Sequence, residues 1–308
     1  MDINFFKKLR VLDGGMGQEL HAKGLVSKGT LWSTSAVLDE KYHDLIIDAH
    51  LAYISAGAEV IITNNFSSRR IRMEQNKVNH LFEFANKKAC ELALKAREKS
   101  KKKIIIGGSI PAQHDTYKED TRDNKIIYKA FSEQVSCIKD YIDFFYLDVI
   151  SSGREIDIAS DAIDEYKKPI LVGLHLNKKG TLPSGETISG VVKKYKHSSW
   201  IGIIASCVSM EIAENSISEL KKQNLPFGYK VNLWGKDEPS PAREINTAKY
   251  NEYAVNLNTI MGKKEVSDEV FKNLGKKFLN NGATIIGGCC ETSPIHISLL
   301  SKLKKDFA

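Results

Sequence analysis

The stretch ATIIGGCC, residues 283–290, joins a short apolar run to a Gly-Gly pair and two adjacent cysteines. A second stretch, WIGIIASC, residues 200–207, has the same form and also ends in a cysteine. Both runs are continuous rather than alternating, which is typical of parallel strands buried on both faces. As strands of one sheet they bring Cys207, Cys289 and Cys290 to one face. Three thiolates there suit a zinc ion with an open coordination position.

Six more apolar runs of this kind recur along the chain, and helical patterns lie between most of them. The runs cover residues 10–13, 59–63, 103–106, 143–149, 169–175 and 227–233. The helical segments cover residues 39–56, 80–99, 128–142, 210–223 and 267–281, and a terminal helix starts at residues 293–294. Strands that alternate with helices favour a parallel sheet. About eight such units predict an α/β fold, a single (β/α)8 TIM barrel domain over residues 1–308.

An open, doubly wound sheet is the alternative architecture. No Gly-x-Gly-x-x-Gly follows the first strand, which argues against the dinucleotide-binding form of that fold. Residues 235–248 predict a long loop, which we interpret as a lid or a surface excursion.

The composition argues against several classes of partner. The 45 basic and 38 acidic residues give a net charge of +7, but the lysine runs carry no interleaved aromatic residues, which disfavours nucleic-acid binding. No apolar stretch is long enough to span a membrane, and the first ten residues contain no signal-peptide core. Five cysteines, an odd number, indicate a cytoplasmic protein with reduced thiols.

The active face of a barrel lies at the C-terminal ends of its strands. Besides the three cysteines, that face is expected to hold Asp13, Asn64, Asn65, Ser109, Asp148 and His175. A lone buried cysteine is usually a small hydrophobe, which is our interpretation of Cys90 and Cys137 within helical patterns. His175 and His296 are interpreted as structural. Lys230, the lysine considered for an aldolase-type alternative, is expected near the start of the seventh strand, at the wrong end of the barrel.

Several motifs resemble those of the homocysteine S-methyltransferase family, in the family's order from about residue 10 to residue 300. The most specific is GGCCETSPIHI, residues 287–297. The others are LDGGMGQEL at 12–20, WS at 32–33, GAEVIITN at 57–64 and SGET at 184–187.

This resemblance implies a (β/α)8 barrel in which Cys207, Cys289 and Cys290 bind a zinc ion that activates the sulfur of homocysteine. A free thiol is mostly protonated at neutral pH, and coordination to Zn²⁺ deprotonates it. Three protein thiolates leave one position for the substrate sulfur. The methyl group then moves by in-line displacement from an onium donor, which gives methionine.

The resemblance also implies that Asp13, Gly14 and Gly15, after the first strand, help to hold homocysteine. The family's glutamate that binds the amino group corresponds to Asp148, which keeps the charge but is one methylene shorter. A second departure is Ser206, where the family usually has asparagine. The expected partners are therefore homocysteine and a small methylated cation.

The cationic group of such a donor is expected to lie on aromatic rings. Trp32 and Phe66 match aromatic positions of the family, and Tyr117 is a weaker candidate. The candidate donors are S-methylmethionine, S-adenosylmethionine and betaine. The compact chain leaves no room for cobalamin modules and favours the sulfonium-using branch.

Three alternatives remain open at this point. The barrel methylates a different thiol, or it catalyses another reaction and its cysteines are structural, or the chain is a non-enzymatic zinc- or thiol-binding protein. The last alternative requires a fourth protein ligand, and the sequence offers no convincing one. A homo-oligomer is compatible with the sequence, which does not specify the oligomeric state.

Overall fold

The computed structural model describes residues 4–245, 247–249, 252–254 and 261–307. Eight parallel strands form one sheet in the order β1-β8-β7-β6-β5-β4-β3-β2. The strands are β1 Arg10–Val11, β2 Val60–Ile62, β3 Ile105–Pro111, β4 Phe144–Ile150, β5 Ile170–Leu174, β6 Trp200–Val208, β7 Phe227–Val231 and β8 Ile285–Gly288.

The first and second strands close the sheet into a barrel. A parallel bridge joins Leu12 to Val60. Two backbone hydrogen bonds flank it, from Glu59 N to Val11 O at 2.8 Å and from Asp13 N to Val60 O at 3.0 Å. The predicted (β/α)8 barrel is therefore confirmed, and the open doubly wound alternative is wrong.

Helices follow the strands and surround the barrel. They are α1 Met16–Ala22, α2 Thr34–Leu38, α3 His43–Ala56, α4 Arg70–Gln75, α5 Phe82–Ser100, α6 Asn124–Ile138, α7 Gly153–Asp164, α8 Ile188–Tyr195, α9 Met210–Lys221, α10 Ala242–Ile245, α11 Asp268–Asn280 and α12 Pro294–Asp306. Short 3-10 turns occupy Phe5–Lys7, Glu40–Tyr42 and Asn79–Leu81. No helix within the described ranges has both the length and the apolar character needed to cross a membrane.

Local capping chemistry explains where several helices begin. Ser267 caps α11 by accepting a hydrogen bond from Val270 N. The predicted helix 128–142 in fact runs from Asn124 to Ile138, so it starts four residues earlier. Its cap is Asp123, whose side chain accepts a hydrogen bond from Lys125 N. The predicted loop 235–248 contains the short helix α10 and lies partly outside the described residues.

Side chains alternate between the inside of the barrel and the layer beneath the helices. Phe144 and Tyr146 belong to the inner cluster, whereas Phe145 and Leu147 pack in the outer one. At the amino-terminal end of the barrel, Phe6 contacts Phe144 edge-to-face at 5.6 Å and belongs to the same inner cluster. This end is thus filled with apolar side chains, which leaves the opposite end for polar ones.

Candidate active site

Three cysteine side chains meet at the C-terminal end of the barrel. The sulfur atoms of Cys207, Cys289 and Cys290 all lie within 4.8 Å of one another. Cys207 is the penultimate residue of β6, and the adjacent pair follows β8 directly. The Sγ atoms of Cys207 and Cys290 are 3.7 Å apart, so these two residues are not joined by a disulfide.

A break in strand register turns Cys207 toward this cluster. On β6 the side chain of Ser206 points inward, where its Oγ lies 2.5 Å from the hydroxyl of Tyr146, and Ala205 packs outward. Simple alternation would therefore place Cys207 on the outer face. Instead its φ is +52°, and the pairing with β7 shifts between Ser206 and Val208. This bulge re-aims the thiol into the site, which is a common use of bulges beside active sites.

The adjacent pair is held by the backbone of its neighbours. Cys289 N donates to Val231 O at 2.7 Å, and Leu233 N donates to Cys290 O at 3.0 Å, so the pair is bonded to the end of β7. Gly15 approaches from the loop after β1. A Cβ at that position would lie 2.7 Å from Cys289 O, so only glycine allows this approach.

The three thiols influence one another's protonation. Hydrogen bonds with Cys289 and Cys290 hold the pKa of Cys207 well below its usual range. The same contact with Cys207 holds the pKa of Cys289 and of Cys290 well above the usual range, and burial adds to this effect. The cluster therefore stabilises a negative charge on sulfur, as a site for a thiophilic cation must.

Two further groups contact Cys207. The hydroxyl of Tyr117 lies 3.4 Å from its Sγ, and Asn232 Nδ2 donates to its carbonyl oxygen at 2.8 Å. Tyr117 also packs edge-to-face on Trp234, with ring centroids 5.9 Å apart. His175 lies behind Tyr117 at 4.6 Å between ring centroids and is buried.

A buried ion pair lies beside the cysteines. Lys230 Nζ is 2.5 Å from Asp13 Oδ1, and both side chains are almost completely buried. The other oxygen of Asp13 accepts a hydrogen bond from Ile62 N at 2.7 Å. Burial raises the pKa of Asp13, while the neighbouring anions outweigh burial and raise the pKa of Lys230. The charge of Lys230 and the two hydrogen bonds to the carboxylate oppose the effect of burial on the pKa of Asp13.

Asp148 is a second buried carboxylate of the site. It follows Phe144 and Tyr146 at alternate positions of β4, so it points inward. Ser109 Oγ donates to its Oδ2 at 2.8 Å. Burial raises the pKa of Asp148 to about 7, although Lys230 opposes this shift.

The nine residues predicted to bind zinc, homocysteine or the methyl donor line one cleft: Asp13, Gly14, Gly15, Trp32, Phe66, Asp148, Cys207, Cys289 and Cys290. Asn64 and Tyr117 line it too, whereas Asn65, Ser109 and His175, which are expected on the same face, do not. Cys90 and Cys137 lie outside this cleft, in α5 and α6, and His296 is in α12. Other residues that the sequence does not assign to the site also line the cleft, among them Arg69, Arg72, Lys230 and Trp234.

The position predicted for Lys230 is wrong. It is the fourth of five residues in β7, so it lies at the active end of the barrel and not at the opposite end. Its inward direction follows from alternation, because Tyr229 and Val231 pack in the outer cluster. The predicted seventh strand, residues 227–233, is two residues too long. With the strand ending at Val231, Lys230 falls at its carboxyl end.

Comparison with known proteins identifies the family of this chain. The sequence profile of the family described as homocysteine S-methyltransferase matches residues 10–303. The chain belongs to the homocysteine S-methyltransferase family. It is therefore a methyltransferase, and the non-enzymatic alternative is wrong.

Individual relatives of this methyltransferase are distant but match along its whole length. Homocysteine S-methyltransferase 2 of Saccharomyces cerevisiae is 25% identical and covers 98% of this chain and 95% of its own. Homocysteine S-methyltransferase 1 of Arabidopsis thaliana is 23% identical over 95% and 92%. The metallated crystal structure of the homocysteine methyltransferase MmuM from Escherichia coli has the same fold, with a TM-score of 0.76, 20% identity and 96% coverage of both chains.

Proposed function

We propose that this methyltransferase moves a methyl group from a sulfonium donor to the thiol of homocysteine, beside a zinc ion held by Cys207, Cys289 and Cys290. The observation that carries the proposal is the cluster of three sulfur atoms, all within 4.8 Å of one another, in the lining of the cleft. Among the described residues, no histidine, carboxylate or further cysteine joins this group. A three-ligand set of this kind is typical of catalytic rather than structural zinc sites.

The donor set fits zinc by its chemistry. Thiolates are preferred ligands of Zn²⁺, and the surroundings of Cys207 already favour the thiolate form. A bound zinc ion supplies Lewis acidity that makes an acceptor thiol a thiolate at neutral pH. Asn232 supports the site from behind, because its bond to the carbonyl of Cys207 fixes the left-handed backbone at that residue.

The protein's own groups place the acceptor for the transfer. Asp148 offers an inward-facing carboxylate for the ammonium group of homocysteine, and the loop after β1 lines the same part of the cleft with Gly14 and Gly15. The acceptor sulfur forms a bond to the methyl carbon while the bond from that carbon to the donor sulfur breaks. The bonding pair returns to the donor, which leaves as a neutral thioether, and the acceptor becomes methionine. Alignment of the three atoms is the main contribution of the protein.

The lining of the cleft favours a donor that carries both a cation and a carboxylate. Trp32, Phe66 and Tyr117 offer aromatic faces for an onium group. The guanidinium of Arg69 lies 5.2 Å from the centre of the Phe66 ring, and Arg72 lines the same cleft. These charges favour a donor carboxylate. S-methylmethionine has both groups, and a relative from Pongo abelii, 24% identical over 94% of this chain and 77% of its own, is named S-methylmethionine–homocysteine S-methyltransferase.

A donor panel combined with metal analysis tests this function. Homocysteine is incubated with S-methylmethionine, S-adenosylmethionine, betaine or dimethylsulfoniopropionate, and the methionine formed is measured. We expect the highest yield with S-methylmethionine and about one zinc ion per chain. Cys289→Ala is expected to lose both zinc and activity. Cys137→Ala, which removes a buried thiol outside the cleft, should keep both. Full activity of the zinc-free protein would refute the proposal.

A further inference from the structure

We propose that Lys230 binds the carboxylate of the acceptor amino acid, so that the enzyme selects thiols that carry a free α-carboxylate. The inference rests on the proposed function and names a residue that determines the specificity of the same site. Lys230 lines the cleft, although only 5% of its surface is exposed. A buried ammonium at a ligand site is costly unless the ligand or the protein compensates its charge.

The hydrogen-bonding capacity of Lys230 exceeds what the protein uses. An ammonium group has three N–H donors. Within the part of the chain that the structure describes, Asp13 Oδ1 is the one hydrogen-bond acceptor of Nζ. The ring of Tyr146, 5.9 Å away, adds a weaker cation–π contact. The remaining donors must therefore find their acceptors in the cleft, either in solvent or in a bound ligand.

The charges around Lys230 match an amino acid in its zwitterionic form. Asp148 and Lys230 both point into the barrel, from the ends of β4 and β7, and they are close enough for each to shift the pKa of the other. Asp148 offers a negative charge, and Lys230 offers a positive charge that it shares with Asp13. An acceptor with an ammonium and a carboxylate on the same carbon satisfies both.

Lys230 is also near the sulfur site. Lys230 pairs across the sheet with Gly287, two residues before Cys289, and Cys289 N donates to the carbonyl oxygen of the next residue along β7, Val231, at 2.7 Å. Two methylenes separate the sulfur of homocysteine from its α-carbon, so a short acceptor can reach the cysteines and the lysine together.

A purely structural role for Lys230 makes a different prediction. If the lysine only neutralises and orients Asp13, its loss affects every acceptor to the same degree. If it binds the acceptor carboxylate, its loss affects only acceptors that have one. The discrimination between two acceptors therefore separates these roles, whereas activity alone does not.

The experiment measures the affinity of two thiols by isothermal titration calorimetry of the zinc-loaded enzyme. Homocysteine is compared with 3-aminopropane-1-thiol, which lacks the carboxylate. We expect the wild type to bind homocysteine about 10- to 100-fold more tightly, the range of one or two charge-assisted hydrogen bonds. Lys230→Met should bring this ratio close to unity, and Lys230→Arg should retain most of it. Lys277→Met, which removes an exposed lysine on α11, is the matched control and should leave it unchanged.

The outcomes are separable from those of the donor panel. An unchanged ratio in Lys230→Met, with both thiols weakened equally, would overturn the inference. Equal affinity of the wild type for the two thiols would overturn the inference too. This outcome does not depend on whether Lys230→Met folds. If the wild type discriminates in binding but forms no methionine with any donor, the proposed function fails while the carboxylate site stands.

Discussion

Burial of the Glu155 carboxylate makes the free energy of unfolding depend on pH. The substitution Glu155→Gln should remove this dependence. Glu155 lies in the first turn of α7, directly after the strand that carries Asp148, and it is fully buried. Its Oε2 accepts hydrogen bonds from Ser152 Oγ at 2.7 Å and from Asp120 N at 3.4 Å. Its Oε1 is buried with no hydrogen-bond partner among the described residues. Burial raises the pKa of Glu155 to about 7 from an ordinary value of 4.5.

The sign and the size of the effect follow from proton linkage. Between pH 4.5 and pH 7 the folded state keeps a proton on Glu155 that the unfolded state has lost. The stability from this group is thus fully present below pH 4.5 and is lost as pH rises through 7. With these two pKa values, the loss between pH 5 and pH 8 comes to about 2.5 kcal/mol. The acids Asp120 and Glu119 contribute to the raised pKa, and Ser152 and Asp120 N oppose it.

The assay is urea unfolding of the wild type and Glu155→Gln at pH 5 and at pH 8. The free energy of unfolding of each protein at pH 8 is compared with its own value at pH 5, so any pH-independent cost of burying the amide cancels. We expect the stability of the wild type to fall by about 2.5 kcal/mol more than that of the variant over this range. Glu165→Gln, at an exposed position just beyond α7, should behave as the wild type does. Equal pH dependence of the wild type and Glu155→Gln would refute the reasoning.

Two further substitutions test how the cleft is built. In Gly17→Ala the new Cβ would lie 2.0 Å from Trp32 Nε1, so the indole must move. We expect the KM for the methyl donor to rise about tenfold, with little change in the KM for homocysteine. An unchanged donor KM would argue against a donor role for Trp32. In Asn232→Ala the carbonyl of Cys207 loses a 2.8 Å hydrogen bond. Thermal unfolding should show a loss of stability of about 1–2 kcal/mol. Competition with a chelator should show about tenfold weaker zinc binding. A zinc affinity equal to that of the wild type would contradict the supporting role given to Asn232.

Much of the fold was predictable because each strand in a closed parallel barrel is buried on both faces. Such strands need continuous apolar runs, and all eight were visible in the sequence. Strand and helix boundaries were less accurate. The apolar pattern does not reveal the cap at Asp123, because a short-range hydrogen bond outweighs that pattern in setting where the helix begins.

The candidate site was predictable for a related reason. The carboxyl ends of parallel strands meet at one end of a barrel, so residues far apart in sequence were expected together. Asp13, Asp148 and the cysteines do line one cleft. The predicted position of Lys230 is wrong, because a sequence pattern locates a residue along its strand only as well as it locates the end of that strand.

By itself, the sequence determined the order of the strands, the chemistry at their ends and the family. Only the tertiary structure decided how the side chains of Cys207 and Lys230 are placed in the cleft. Alternation along β6 would direct Cys207 outward, and a left-handed residue in a register shift turns it toward Cys289 and Cys290. Lys230 is paired with Asp13, 217 residues away in sequence, because closing the barrel brings β7 and the end of β1 to the same cleft. Both outcomes depend on contacts between strands, which no local pattern encodes.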